Sequence, residues 1–253
     1  MLLTGASGGL GRAIAVTLHE RGAHLLLSGR NQEALASLAR ELGGAEMLPA
    51  DLAQRGDVEQ LSERAGTVDV LVHNAGLPGS GRLESFTPEE IDRVLDVNLR
   101  AGIQLTRALL PAMVERGRGH IVFMSSMAGK IPVTPLYSAT KFGLRGFAGA
   151  LRDDLHGSGV GVSAIFPGPI EEAGMQADSG VKTPNPKRYP RDVADAVVKA
   201  IEKDRGELTV ADPIQRTGEV LLALSPTTAA RARRLVGLQK IVHATAEGQR
   251  PKR

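Results

Sequence analysis

Residues Thr4-Gly5-Ala6-Ser7-Gly8-Gly9-Leu10-Gly11 decide the fold. They follow a short apolar run at 1–4 and lead into helical periodicity at 10–21, so the glycines lie in a strand-to-helix turn. Such a turn exposes backbone N–H groups and the positive end of a helix dipole, which suits a pyrophosphate. Gly5, Gly9 and Gly11, with Thr4, Ser7 and Leu10 in the same loop, are the candidate binding residues. The spacing is Gly-x-x-x-Gly-x-Gly, not Gly-x-Gly-x-x-Gly, so the motif draws its weight from the strand before it and the apolar helix after it.

Outward from this turn the same alternation repeats. Apolar runs at 1–4, 23–28, 47–50, 68–73, 119–125, 160–166 and 208–211 read as strands covered on both faces. Stretches 10–21, 31–42, 55–65, 88–116, 136–156 and 190–203 carry helical periodicity with few breakers. A βα alternation with right-handed crossovers gives a single Rossmann-type α/β domain, a doubly wound and predominantly parallel seven-stranded sheet flanked by helices. A chain of 253 residues, 42% of them hydrophobic, is long enough for one such core. Only Met1, Leu2 and Leu3 precede Thr4, so a late start or a clipped first strand, with weakened stability, is expected. Segment 167–190, rich in Gly and Pro, reads as a long excursion from the sheet's carboxyl edge, and residues 226–253 as a basic amphipathic helix with a frayed end.

Composition narrows the function. The formal net charge is +3 and the basic excess sits at the chain's end, so no general polyanion surface is implied. Cysteine is absent, which excludes disulfides, thiolate metal sites and cysteine nucleophiles, and the histidines show no metal-ligand spacing. No bound metal is expected. Aromatic residues make up 3% with no Trp, which counts against base stacking, so nucleic acid is not an expected partner. No signal-like segment and no run of about 18 apolar residues is seen; a soluble, cytoplasmic protein is the expectation.

Tyr137 and Lys141, in Tyr-Ser-Ala-Thr-Lys, supply the chemistry. Reducing a carbonyl needs a hydride donor on one face and a proton donor at the oxygen. A free tyrosine, with a pKa of about 10, is too weak an acid for this near neutrality. Lys141 lies one helical turn on and on the same face, where its charge would lower that pKa. At the end of the second strand, Leu27-Ser28-Gly29-Arg30-Asn31 carries no acid to meet an adenosine ribose. An acid there would repel a 2′-phosphate and an Arg would bind it, so Arg30 favours NADP(H) over NAD(H); otherwise it is a solvated residue at a helix start.

With a Gly-rich turn early and Tyr-x-x-x-Lys late, the chain resembles the short-chain dehydrogenase/reductase family over residues 1–212. The Gly spacing opened by Thr4 is that family's own; the second basic residue that NADP-using relatives often carry in this loop is replaced by Gly8. The resemblance implies that Asp51 and Leu52 hold the adenine ring, although Asp51 reads equally as a helix cap or turn acid. His73-Asn74-Ala75-Gly76 resembles the family's Asn-Asn-Ala-Gly segment, so Asn74, Ala75 and Gly76 are assigned to the cofactor; His73 is a strand-end substitution with no proton-transfer role. Tyr137 is then the acid/base group, and Lys141 tunes it and holds the nicotinamide ribose. The serine that binds the substrate oxygen matches Ser126. The serine–tyrosine interval is shorter than in most relatives, which keeps Ser125 as an alternative and implies a shortened loop at 130–136. Asn98 matches the residue that connects Lys to solvent through a water; alternatively it is an exposed helix residue. Pro167, Gly168 and Ile170 match the Pro-Gly turn against the nicotinamide. Relatives commonly place a Thr just beyond, where this chain has Glu171 and Glu172.

These expectations amount to an NADP(H)-dependent oxidoreductase that interconverts a small-molecule ketone or aldehyde and an alcohol. An epimerase or dehydratase on the same fold is one alternative, and a cofactor-binding sensor or scaffold with little turnover is another. The catalytic domain is expected at 1–212 with a substrate lid at 167–190, followed by a helical basic extension at 213–253. That extension could cover the cleft, join an interface or touch an anionic membrane. Helices 88–116 and 136–156 form the family's usual dimer face, implying a homodimer or homotetramer.

Overall fold

A computed structural model describes residues 1–171 and 188–212. Seven strands form one sheet in the order β3-β2-β1-β4-β5-β6-β7, every neighbouring pair parallel. They are β1 Leu2–Thr4, β2 Leu26–Ser28, β3 Glu46–Met47, β4 Val70–His73, β5 Gly119–Met124, β6 Val160–Pro167 and β7 Glu207–Val210. The helices are α1 Gly9–Glu20, α2 Gln32–Glu41, α3 Arg55–Ala65, α4 Pro88–Leu95, α5 Ala101–Glu115, α6 Pro135–Asp154 and α7 Pro190–Glu202. Glu172, the middle of the expected lid (172–187) and the extension (213–253) lie outside the described residues. No helix among the described residues is long and apolar enough to cross a membrane.

The central strands are largely apolar because both faces are covered. Leu2, Leu71, Ile121, Phe123 and Phe166 belong to the core beneath α3, α5 and α6. Leu3, Val70, Val72, Val122, Met124 and Ile165 belong to the core beneath α1, α2 and α7. The period of two thus sorts side chains between two cores rather than between core and water. Strand order reverses at β1 and β4, whose carboxyl ends carry the paired, buried residues Thr4 and His73. An open α/β sheet binds ligands at such a switch point.

Local chemistry sets the helix ends. Asn31 caps α2 by accepting from Ala34 N at 3.0 Å. Thr87 and Glu90 form a reciprocal capping box with Pro88 in the first turn of α4, which contributes about 1 kcal/mol. The expected helix 88–116 differs: α4 passes into a π-turn, Asp96–Arg100, before α5. The turn carries Asn98, which is 0% exposed and bonds the backbone of Leu77. The extra residue of a π-turn lets a side chain meet a partner that regular pitch would miss. Strands β2 and β3 are shorter than their apolar runs, since β3 pairs only with Leu26 and Leu27 at the sheet's edge.

Two buried histidines are expected to make the fold acid-sensitive. Burial pushes His73 down to about 3 and His120 down to about 4. Ser163 donates to Arg205 O (2.7 Å), so His120 Nε2 must donate to Ser163 Oγ (2.7 Å). A histidine with a depressed folded pKa binds its proton more readily in the unfolded chain, so stability is lost as pH falls below about 6.5. Between about pH 7.5 and about pH 5 each ring is expected to cost up to about 2 kcal/mol. Urea unfolding at the two pH values checks this, and equal stabilities would contradict it.

Candidate active site

The turn from β1 into α1 is held by backbone-to-backbone contact. Gly5 has a φ of +66° and lies so near Ala75 that an added Cβ would sit 2.8 Å from its Cα. Asn74 Nδ2 donates to Thr4 O and Gly5 O, both at 3.2 Å, and the Thr4 hydroxyl accepts from Asn74 N and Ala75 N, both at 3.1 Å. Gly8 N donates to Gly5 O at 3.2 Å. α1 begins at Gly9 with no side-chain cap and no acid in its first turn, and Gly8 and Gly9 are exposed. Unspent N–H groups at an uncharged helix start fit the diphosphate of a dinucleotide.

Other sequence-assigned residues follow the carboxyl ends of β2, β3 and β6. Gly29 lies against Ser7, where an added Cβ would come within 2.9 Å of Ser7 Oγ, and exposed Arg30 follows. Asp51 accepts from Ala53 N at 3.2 Å, the turn-acid role, and pairs with Arg93 at 3.1 Å. Leu52 is buried. The sequence reading missed Arg93, which lies on α4 far along the chain from Asp51 and shares no motif with it. Gly168 N donates to Val210 O at 2.9 Å, and Ile170 is buried beside β7's end, so the turn after β6 is pinned to the sheet. Glu171 N continues it with a bond to Arg188 O at 2.8 Å.

Ser126, Tyr137 and Lys141 converge at the ends of β5 and α6. Tyr137 is half-buried in the first turn of α6, and its N–H donates to Gly79 O at 3.1 Å. Lys141 is 2% exposed; its ammonium lies 5.6 Å from the Tyr137 ring centroid and donates to Met124 O at 2.9 Å. Ser126 lies near enough to the phenol to favour its ionised form, without a hydrogen bond of regular geometry; its Oγ accepts from Ala128 N at 3.2 Å. Ser125 turns away and donates to Lys141 O at 3.0 Å, tying α6 to β5. The structure therefore brings Ser126, not Ser125, to Tyr137.

Charge at the site departs from the simple spacing argument. Burial pushes Tyr137 up to about 12, opposed by Ser126, and burial brings Lys141 down to about 8. Sharing a helix face placed the two residues together, but it carried no information about the desolvation of both. Asn98 is not an exposed helix residue: Oδ1 accepts from Leu77 N at 2.6 Å, and Nδ2 donates to Leu77 O at 2.9 Å and Thr140 Oγ1 at 3.5 Å. Thr140, also missed from sequence, donates in turn to Tyr137 O at 2.8 Å. Asn98 thus clamps the segment after β4 to the helix that carries the tyrosine.

Comparison with known proteins places the chain in a family. A family profile described as short chain dehydrogenase matches residues 1–183. The chain is 36% identical to the ketoacyl reductase HetN from Nostoc sp. strain PCC 7120, over 98% of this chain and 93% of that protein. Among solved structures it is similar to a short-chain dehydrogenase from Sphingobium yanoikuyae in complex with NADPH, with a TM-score of 0.78, 27% identity, and coverage of 93% of this chain and 94% of that one. A metagenomic short-chain oxidoreductase in complex with NADP is 35% identical with a TM-score of 0.69, covering 83% of this chain and 95% of that one.

Proposed function

The chain belongs to the short-chain dehydrogenase/reductase family, oxidoreductases of the CH–OH/C=O class that use a nicotinamide dinucleotide; from that premise we propose that it interconverts a ketone or aldehyde and an alcohol with NADP(H), Tyr137 serving as acid/base. The carrying observation is the convergence of Ser126, Tyr137 and Lys141 at the carboxyl ends of the strands, beside an uncapped Gly-rich helix start.

The dinucleotide, when bound, supplies or accepts the hydride. The chain's part is to hold it and to manage the proton. Thr4, Gly5, Ser7, Gly9, Leu10 and Gly11 present the diphosphate cradle, Asp51 and Leu52 with Asn74, Ala75 and Gly76 the adenosine side, and Pro167, Gly168 and Ile170 the nicotinamide side. Ser126 donates to the carbonyl oxygen and orients it. Tyr137 gives its proton to that oxygen as negative charge develops there, a contribution of about a hundred- to ten-thousandfold. Lys141 stabilises the resulting phenolate, and its lowered pKa keeps its own proton available for transfer. Asn98 holds Leu77 and Thr140 with its side chain, which fixes the position of its backbone for the water relay to Lys141.

Arg30 sets the cofactor preference. The second strand ends without an acid, and two structural relatives hold NADPH or NADP. Nicotinamide fluorescence is expected to show NADPH binding about ten- to a hundredfold more tightly than NADH, with Arg30→Glu erasing the difference. Equal or tighter NADH binding would sink the Arg30 assignment and leave the fold reading intact. Because HetN is named for ketoacyl reduction, ketoacyl thioesters are the first carbonyl class to screen. Exposed Val114 on α5 and Phe142 on α6 support self-association through these helices; sedimentation as a monomer would contradict it.

A further inference from the structure

His73 occupies a fully buried position at the carboxyl end of β4, between the Gly-rich turn and the π-turn that carries Asn98. Its partners determine which ring nitrogen bears the proton. A threonine hydroxyl has one proton and two lone pairs. Thr4 Oγ1 accepts from both Asn74 N and Ala75 N, which uses both lone pairs. Thr4 is 0% exposed, and the remaining neighbour of its hydroxyl is His73 Nδ1 at 3.3 Å. The hydroxyl proton therefore points at Nδ1, which must be a bare acceptor, and the proton of a neutral ring is on Nε2.

The surroundings hold the ring in that orientation. Gly102, one turn past Asn98, makes room for it: an added Cβ would lie 2.7 Å from His73 Cδ2 and 3.0 Å from Nε2. Phe123 meets the ring edge-on at 6.3 Å between centroids. The Val97 carbonyl favours a proton on the ring, but no hydrogen bond of regular geometry forms at Nε2, so this contact orients the ring without satisfying it. Burial and the nearby Lys141 charge both oppose an imidazolium, which keeps the ring neutral and leaves its tautomer as the variable that matters.

We propose that His73 is a positioning residue of the nucleotide site: the Nδ1 of its Nε2-protonated imidazole accepts a hydrogen bond from the Thr4 hydroxyl and so fixes the oxygen that holds the Asn74 and Ala75 backbone against the Gly-rich turn. The role rests on the reading that these segments bind the dinucleotide. A ring with Nδ1 protonated would face the Thr4 hydroxyl donor-to-donor and turn its lone pairs from the two amides. His73 and Gly102 act as a complementary pair, joining the cofactor crevice to the π-turn of Asn98.

The test combines tautomer and affinity. In the full-length protein labelled with 15N at histidine, His73 Nδ1 is expected to show a bare-nitrogen shift and Nε2 a protonated one, unchanged between about pH 8 and about pH 5. An Nδ1-protonated ring or an imidazolium in that range would overturn the proposal. NADPH titration is expected to show His73→Phe and Thr4→Val each raising Kd by about tenfold, with the double variant no weaker than either alone. His73→Phe leaving Kd within about twofold while lowering the melting temperature, or additive effects in the double variant, would reduce His73 to a packing residue. Failure of the wild-type protein to bind NADPH would overturn the cofactor reading and the positioning role together; NADPH binding with the opposite tautomer would overturn the positioning role alone.

Discussion

Replacing Tyr137 with Phe is expected to lower carbonyl turnover by about a thousand- to ten-thousandfold while NADPH affinity changes by no more than about twofold. The substitution removes one oxygen from a ring whose backbone N–H is held by Gly79 O and whose helix is tied to β5 through Ser125 and Lys141. These restraints do not involve the hydroxyl, so the variant keeps its place while losing the proton. The phenol's elevated pKa gives the same expectation from another side, because a group pushed up to about 12 by burial enters the reaction protonated. In the reducing direction activity should therefore persist through neutral pH; in the oxidising direction, which needs the phenolate, it should rise toward alkaline pH. Steady-state rates in both directions with parallel cofactor titration check this. A variant with unchanged turnover would favour a proton donor other than Tyr137, and a wild type silent alongside it would favour the sensor reading.

Gly11→Ala is expected to cost about 3 kcal/mol or more of stability and to abolish measurable cofactor binding. The added Cβ would sit 2.0 Å from Gly5 O and 2.8 Å from Ala6 Cα, so the clash is with backbone, which cannot rotate away. Relief requires moving Gly5, which packs on Ala75 and receives the Asn74 side chain. The displacement would break the alignment of the helix start with the segment after β4. Thermal unfolding and NADPH titration report the two effects; a variant with wild-type stability and affinity would show that the turn is not the close-packed cradle described.

The elements that the sequence made legible are those whose causes are local. Apolar runs bounded by Gly and Pro marked all seven strands, and Arg55–Ala65 was read to its observed ends. The Gly-rich turn and the Tyr137–Lys141 pair were legible because a turn and a helical spacing are short-range geometry. The π-turn within helix 88–116 at Asn98 was not, because the contact it serves, with Leu77, lies across the fold. Arg93 against Asp51 and Thr140 between Asn98 and Tyr137 escaped for the same reason. Which of Ser125 and Ser126 lies beside Tyr137 was not legible, because it depends on Ser125 donating to Lys141 O across the fold. The pKa values of Tyr137 and Lys141 depend on burial, which spacing does not encode.

The most direct test is the fate of a deuterium at nicotinamide C4. NADPH labelled there is incubated with the purified protein and a panel of ketones, aldehydes and ketoacyl thioesters, and the alcohol products are analysed by mass spectrometry and NMR. One deuterium per product is expected on the former carbonyl carbon, from one face of the nicotinamide only, and none in the Tyr137→Phe reaction over the same period. Consumption of labelled cofactor without deuterium in the alcohol, or no alcohol from any carbonyl despite tight NADPH binding, would contradict it.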